Sequence, residues 1–489
     1  MKKTLVSVLL AALSTLSAQA QTKIFKEVGD EISSQMKTIR QDNALVGYMV
    51  FTQLEKVSED SFNYKVTIMD ENLNDIGTVN FRDANMRLQD VSFEQDVLCV
   101  AYLKGKFLSN GPIKKYKDYK EALENKDNEV FIQYISLDGK ILKTNSFPVA
   151  VTFEKIITGS FAPKVSAVGY LKHPVQLKNI SKKGFACFYG DENANNLFVF
   201  NTKGDVLWKK QIGDSYGAWF TMLTSGRDIF LLAQKKSWAD ASFHWGAVRY
   251  IDGEYDLLGY STRDTTAELN YPLVDEHGSQ LKVLAFENDP ITGSPYIAGL
   301  VMNPKKQTEN IGLYTLNVNG VDKKGININY TYWDRGSLDS TTDTREFEKQ
   351  IKDTKINYAF KDFNGLTYFT GANRFNGAEL IKQNAKGTLT IENNVLDESL
   401  RVYRPGPGSP KFGDNFYRVI NAEKQKDYLV ADTDPVITIY DVTGKKVVHS
   451  IPHKDSGIIT NVGPAKEGYI MVAEYNKKEK YTKLSIEAL

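Results

Sequence analysis

The sequence predicts an all-β protein, a β-propeller of four-stranded antiparallel blades, and three observations carry that prediction. First, one hairpin recurs seven times: a half-apolar strand, a tight polar turn usually holding Gly, and a second half-apolar strand. The copies are NYKVTIMDENLNDIGTV (63–79), FIQYISLDGKILKT (131–144), FVFNTKGDVLWKK (198–210), VRYIDGEYDLLGY (248–260), YTLNVNGVDKKGIN (314–327), LIKQNAKGTLTI (380–391) and TIYDVTGKKVVHSI (438–451). Recurrence of one supersecondary unit at long period marks a repeat architecture. Second, the turn positions Asn72, Gly139, Gly204, Gly253, Gly320, Gly387 and Gly444 are 67, 65, 49, 67, 67 and 57 residues apart. A fixed-length solenoid would not vary this much, whereas a propeller keeps four strands per blade and lets loops absorb insertions. Third, 26 Tyr, 25 Phe and 5 Trp, with many Val, Ile and Thr, favour strands over helices.

Two further strands precede most hairpins. They are 175–184 and 185–191 before Gly204, 219–228 and 229–236 before Gly253, 281–293 and 295–303 before Gly320, 356–365 and 366–374 before Gly387, and 416–427 and 428–434 before Gly444. Each unit therefore reads strand, turn, strand, loop, strand, turn, strand. The continuous apolar second strand suits a position buried on both faces, and the alternating outer strand suits one wet face. After Gly444 only three strands remain, at 457–468, 469–480 and 481–489, while TKIFKEV (22–28) stands alone at the other end. Pairing that segment with the last three closes an eighth blade and removes an open edge. Were residues 33–41 helical, the count would be seven.

Lys2 and Lys3, the apolar run Thr4–Leu16 and the small-x-small site Ala18-Gln19-Ala20 have the three parts of a signal peptide. Residues 1–20 are thus expected to be removed and 21–489 to form a single propeller, exported to the periplasm or beyond, with no membrane span and as a monomer. Charge is balanced, 61 basic against 60 acidic residues, so nothing global favours a nucleic acid. Cys99 and Cys187 sit mid-strand in apolar runs of different repeats and read as buried free thiols rather than a disulfide. Three insertions interrupt the pattern: 108–129, charged and partly helical; 335–355, where Asp343 and Glu346 have capping-box spacing before a short helix; and 402–412, with three Pro and two Gly.

Candidate chemistry is sparse. DENLND (70–75) and DENANN (191–196) place oxygens on alternate residues as calcium loops do, but lack the Gly and Glu an EF-hand loop needs at its sixth and twelfth positions. They read as turn residues, and no metal or other cofactor is expected. His449 and His453 are separated by Pro452 at a strand end, a poor zinc arrangement. No nucleophile elbow, Walker loop or dinucleotide glycine pattern occurs in context. The most suggestive residues lie in two aromatic loops: Trp238, Phe243, His244 and Trp245 in SWADASFHWG (237–246), and Tyr332, Trp333, Asp334 and Arg335 in NYTYWDRGS (329–337). Indole faces beside polar groups suit sugars or peptides; the plainer reading is that they fill gaps between blades.

On its hairpins the chain resembles secreted bacterial β-propellers over nearly its whole mature length. It lacks the repeated Gly-His and Trp-Asp of WD40 repeats and the paired glycines of kelch. Its Ala-Gln-Ala-Gln signal end and Tyr/Lys/Asn-rich composition look like exported proteins of the Bacteroidetes, within which it is similar to uncharacterised secreted families. The resemblance implies fold and compartment, and carries over no catalytic residue. The expectation is an exported module binding a protein, peptide or glycan. The alternatives are a glycan-active hydrolase or lyase with carboxylates at the central mouth, or a structural envelope protein.

Overall fold

The computed structural model describes residues 22–26, 33–42, 44–58, 61–108, 116–158, 164–213, 216–235, 254–332, 354–373, 377–383, 389–392, 416–421, 425–433, 436–444, 446–453, 457–466, 468–476 and 478–489. Strands dominate them, in eight four-stranded antiparallel sheets. Seven are built from consecutive strands and span Ser33–Asp83, Met86–Pro148, His173–Ile212, Tyr216–Pro272, Leu281–Tyr332, Thr354–Glu392 and Phe416–Pro452, here blades 1 to 7. The eighth takes three strands from the C-terminal end, Ile458–Pro464, Tyr469–Asn476 and Tyr481–Ala488, and its fourth from Thr22–Lys26. That N-terminal strand runs antiparallel to the last one, Thr22 opposite Ser485 and Lys26 opposite Tyr481. Ser33–Gln41 is a strand, which settles the count that a helix there would have lowered.

Within each blade the first strand is innermost, and first strands pack together from blade 1 through blade 6 and between blades 7 and 8. The second strands are the most buried, as their apolar runs require. Val97–Leu103 of blade 2 and Gly184–Gly190 of blade 3 are buried throughout. Outer strands alternate, as in Ile141–Pro148 and Val206–Ile212.

Large side chains fill the wedges between blades. Phe51 of blade 1 lies 5.1 Å from Tyr102 of blade 2, and Tyr134 of blade 2 lies 6.0 Å from both Phe185 and Phe200 of blade 3. Such rings bury large area at a fixed geometry. Cys99 and Cys187 are free thiols in the apolar cluster between blades 2 and 3. The ring closes through Tyr48, Val50 and Leu73 of blade 1, packed with Met471, Leu484 and Ile486 of blade 8. The Tyr48 hydroxyl also donates to the Pro464 carbonyl at 2.9 Å.

The fourth hairpin is placed differently from its sequence expectation. Tyr255–Ser261 is the third strand of blade 4, not the fourth. It pairs with Asp228–Lys235 on one side and Glu268–Pro272 on the other. The outer turn is therefore at 262–267, fixed by Asp264, whose carboxylate accepts from the Thr266 amide at 3.0 Å. Moving the turn from Gly253 removes the anomalously short spacing.

Between blades 2 and 3 the chain adds a two-stranded hairpin, Thr152–Thr158 with Lys164–Tyr170, which the repeat pattern did not reveal. The helix expected within 108–129 spans Tyr116–Glu124 and packs on the second strand of that hairpin. The expected helix in 335–355 and the Pro/Gly segment 402–412 lie outside the described residues, apart from the strand that begins at Thr354.

Candidate functional site

An innermost strand turns alternate residues toward the axis, because side chains on a strand have a period of two. Blade 1 shows the consequence: Ile39 is buried between blades, whereas Thr38 and Arg40 face a cavity of about 340 Å³ at the axis. Blade 2 gives Asp90 and Ser92, blade 3 Lys178, Asn179 and Ser181, blade 4 Thr224 and Ser225, and blade 5 Asn288 and Thr292. Hydroxyls, amides and a few charges thus dominate the lining, with only Val91, Leu177 and Leu223 as large apolar members.

The carboxylates here are committed to the protein. Asn179 Nδ2 donates to Asp42 Oδ1 at 2.7 Å and to Glu94 Oε2 at 3.1 Å. The Lys182 amide donates to Glu94 Oε1 at 2.9 Å, and the Leu177 amide to Asp90 Oδ2 at 2.8 Å. Blades 1, 2 and 3 are therefore tied beside the axis by one amide side chain between two carboxylates. Blades 4 and 5 are tied by Asn288 Nδ2, which donates to the Thr224 carbonyl at 2.9 Å, and by Ser225 Oγ, which donates to the Gly293 carbonyl at 2.9 Å.

The cations are not committed in this way. Arg40 lines the cavity and makes no ion pair among the described residues; burial holds its guanidinium below the ordinary value. A second recess, about 240 Å³, shares Ser181 and Gly226 with the first and adds Lys182, Arg227 and Arg263. These three side chains are on turns of blades 3 and 4. Both turn types, first-to-second and third-to-fourth strand, emerge on the same face of an antiparallel blade. Lys183 donates to the Thr262 carbonyl, and the Thr262 hydroxyl to the Arg227 carbonyl at 2.6 Å, which fixes the turns together. Burial first, and the Arg227 charge second, lower the Lys183 ammonium.

A second polar cluster joins blades 5, 6 and 7. Arg418 Nε donates to Asp427 Oδ1 at 2.6 Å, its Nη1 to Glu287 Oε1 at 2.8 Å and its Nη2 to the Lys361 carbonyl at 2.6 Å. Lys361 pairs with Asp289. Burial raises the Glu287 carboxyl and pushes Asp427 up to about 6, against the opposing pull of Arg418. Perturbed carboxyls attract attention as catalytic candidates. With the Arg418 side chain 4% exposed and Asp427 fully enclosed, however, no substrate has room to reach that pair, and Glu287 is held by the same guanidinium. The cluster is a joint between blades.

Of the sequence-predicted aromatic sites, Tyr332 ends the outer strand of blade 5, remote from the axis. Its ring stacks on Tyr330 at 6.0 Å and its hydroxyl donates to Asp275 Oδ2 at 3.2 Å. Trp238, Phe243, His244, Trp245, Trp333, Asp334 and Arg335 lie outside the described residues. DENLND and DENANN serve their turns. Asp70 Oδ1 accepts from the Asn72 and Asn74 amides at 2.8 Å each, and Asp191 Oδ1 accepts from those of Asn193 and Ala194 at 2.8 Å each. Among the described residues no group of three His, Cys, Asp or Glu side chains is placed to hold a metal ion, and no helix is long and apolar enough to cross a membrane. Sequence reasoning missed the axial residues. Their signal was the polar alternation Thr38, Arg40, Asp42 and Asp90, Ser92, Glu94 along first strands and the turn after the first of them.

Residues 1–170 match a family of unknown function, DUF6770. No curated protein matches the chain. Among solved structures, the chain is similar to the β-propeller domain of Cps50 (Swd1) from Myceliophteria thermophila at 9% identity, covering 95% of this chain and 99% of that one, with a TM-score of 0.38. It is similar at 10% identity to the complex of KlAtg21 with the coiled coil of AgAtg16, covering 86% and 98% with a TM-score of 0.41. A protein of unknown function from Bacteroides caccae is similar at 10% identity, covering 60% and 90% with a TM-score of 0.30.

Proposed function

We propose that this protein is an exported binding module whose ligand enters the axial cavity from the face carrying the turns of blades 3 and 4. The observation that supports the reading is the cavity itself. It is polar, it is walled by five different blades, and its carboxylates are held by amide donors instead of facing one another across open space. A hydrolase at this mouth would need a free acid/base pair. A purely structural ring would gain nothing from a polar recess at its centre. The test is a thermal-shift panel of neutral and charged saccharides and short peptides on the mature chain, repeated with Thr224→Trp, which fills the cavity. A ligand should raise Tm for the wild type and lose that effect in the variant. A ligand that stabilises both equally puts the site elsewhere, and turnover of a ligand would replace binding by catalysis. Export is tested by N-terminal sequencing of protein from fractionated cells, where Gln21 is the expected first residue.

A further inference from the structure

Resting on that reading, we infer that the ligand is a small acidic sugar, with its hydroxyls in the axial cavity and its anionic group on the cationic recess between blades 3 and 4. Two adjacent recesses have different chemistry, and they share Ser181 and Gly226 in their walls. The axial half offers hydroxyls from Thr38, Ser92, Thr224, Ser225 and Thr292 and amides from Asn179 and Asn288, together with carboxylate oxygens of Asp42 and Asp90. Such groups donate to and accept from the vicinal hydroxyls of a sugar, and a carboxylate is the stronger acceptor for an O–H. The volume, about 340 Å³, is at the low end for a small-molecule site.

The outer half offers Lys182, Arg227 and Arg263, all exposed and none in an ion pair among the described residues. Cations gathered in one recess repel one another, and an incoming carboxylate or phosphate relieves that repulsion. Arg40, inside the cavity, adds a fourth cation with no ion pair among the described residues. Asp42, Asp90 and Glu94 keep their charges on the axial side, held by the Asn179 side-chain amide and the Leu177 and Lys182 backbone N–H groups, whereas the three cationic side chains are exposed on the turns. Neither half alone selects the ligand. The hydroxyl-rich half would take any polyol, and the cationic half any small anion.

Calorimetric titration of the mature chain with glucuronate, glucose 6-phosphate, glucose and inorganic phosphate tests this. At least one acidic sugar should bind tenfold or more tighter than both glucose and inorganic phosphate, and more weakly at 300 mM than at 50 mM salt. Which acid binds tells a carboxylate from a phosphate ligand. The double substitution Arg227→Ser and Arg263→Ser, at exposed side chains, should cost tenfold or more for the acid and leave glucose unchanged, with the thermal melt unaltered. Equal affinity of that variant and the wild type for the acid overturns the inference. So does inorganic phosphate binding as tightly as the acidic sugars, or no acidic sugar binding at all. The reading of the cavity as a binding site is judged separately, by Thr224→Trp against whichever compound stabilises the protein.

Discussion

Asp427 shows how one buried carboxyl couples the ring to pH. Its folded value of about 6 stands above the ordinary 3.8 because burial outweighs the adjacent Arg418. Between those values the folded protein keeps a proton that the unfolded chain has released. The contribution to stability is therefore complete below about pH 3.8, declines as pH rises, and is gone above about pH 6. Two units correspond to roughly 3 kcal/mol. Denaturation of wild type and Asp427→Asn at pH 4 and pH 6.5 should show the difference between them moving by about that amount in favour of the variant at the higher pH. A difference that stays flat would remove Asp427 from the account. None of this was legible in the sequence. Asp427 and Glu287 are two among about sixty acids, and only folding brings Arg418 against both.

The recurring turn glycine belongs to the scale of the element, and its cause is the neighbouring blade. Gly139, in the outer turn of blade 2, has φ +85°, and a Cβ there would stand 2.6 Å from the Thr78 carbonyl oxygen of blade 1. Gly204, in the outer turn of blade 3, has φ +81°, and its carbonyl accepts from Asn145 Nδ2 of blade 2 at 2.8 Å. Each turn thus docks on the outer strand of the blade before it. In blade 1 the same place is taken by Leu73 at φ +62°, packed against blade 8. Substituting Gly139→Ala combines backbone strain with a clash, and should cost about 2–4 kcal/mol. Gly278→Ala, at φ +78° with nothing within 4 Å of a new Cβ, should cost only the strain, about 1–2 kcal/mol. Equal losses in urea denaturation would show that docking contributes nothing.

The same glycines made the blades readable, because a local turn signal coincided with strand alternation. Where blade 4 turns through Asp264 and Thr266 without glycine, and the sequence just ahead of its third strand reads Asp252-Gly253, the signal pointed to the wrong pair of strands. The axial site was harder. It takes three or four residues from each of five blades, on their first strands and the turns that follow, and spacing along the chain carries no record of distance across the axis.

At the scale of the whole molecule, closure depends on five residues. Thr22–Lys26 is the fourth strand of blade 8; Phe25 packs on the cluster shared with blade 1, and Lys23 pairs with Asp75. Deleting 22–26 exposes the edge of Tyr481–Ala488 and unties blade 8 from part of blade 1. The loss should be roughly 2 kcal/mol in chemical denaturation, with concentration-dependent association seen by light scattering, since a bare edge templates pairing. An unchanged melt and a monodisperse variant would show that the strand is decorative.

That strand also sets a timetable. Thr22 faces Ser485, so the first described strand to be synthesised is among the last to find its partner. Seven sheets can form from neighbouring segments as the chain emerges; the eighth waits until Tyr481–Ala488 has been made. Contacts of such sequence separation slow folding, and until they form the growing protein carries an unmatched ribbon at each end. A nascent chain built this way has a standing need for something to shield those ends, and its quality control reduces to one question: whether the two have met.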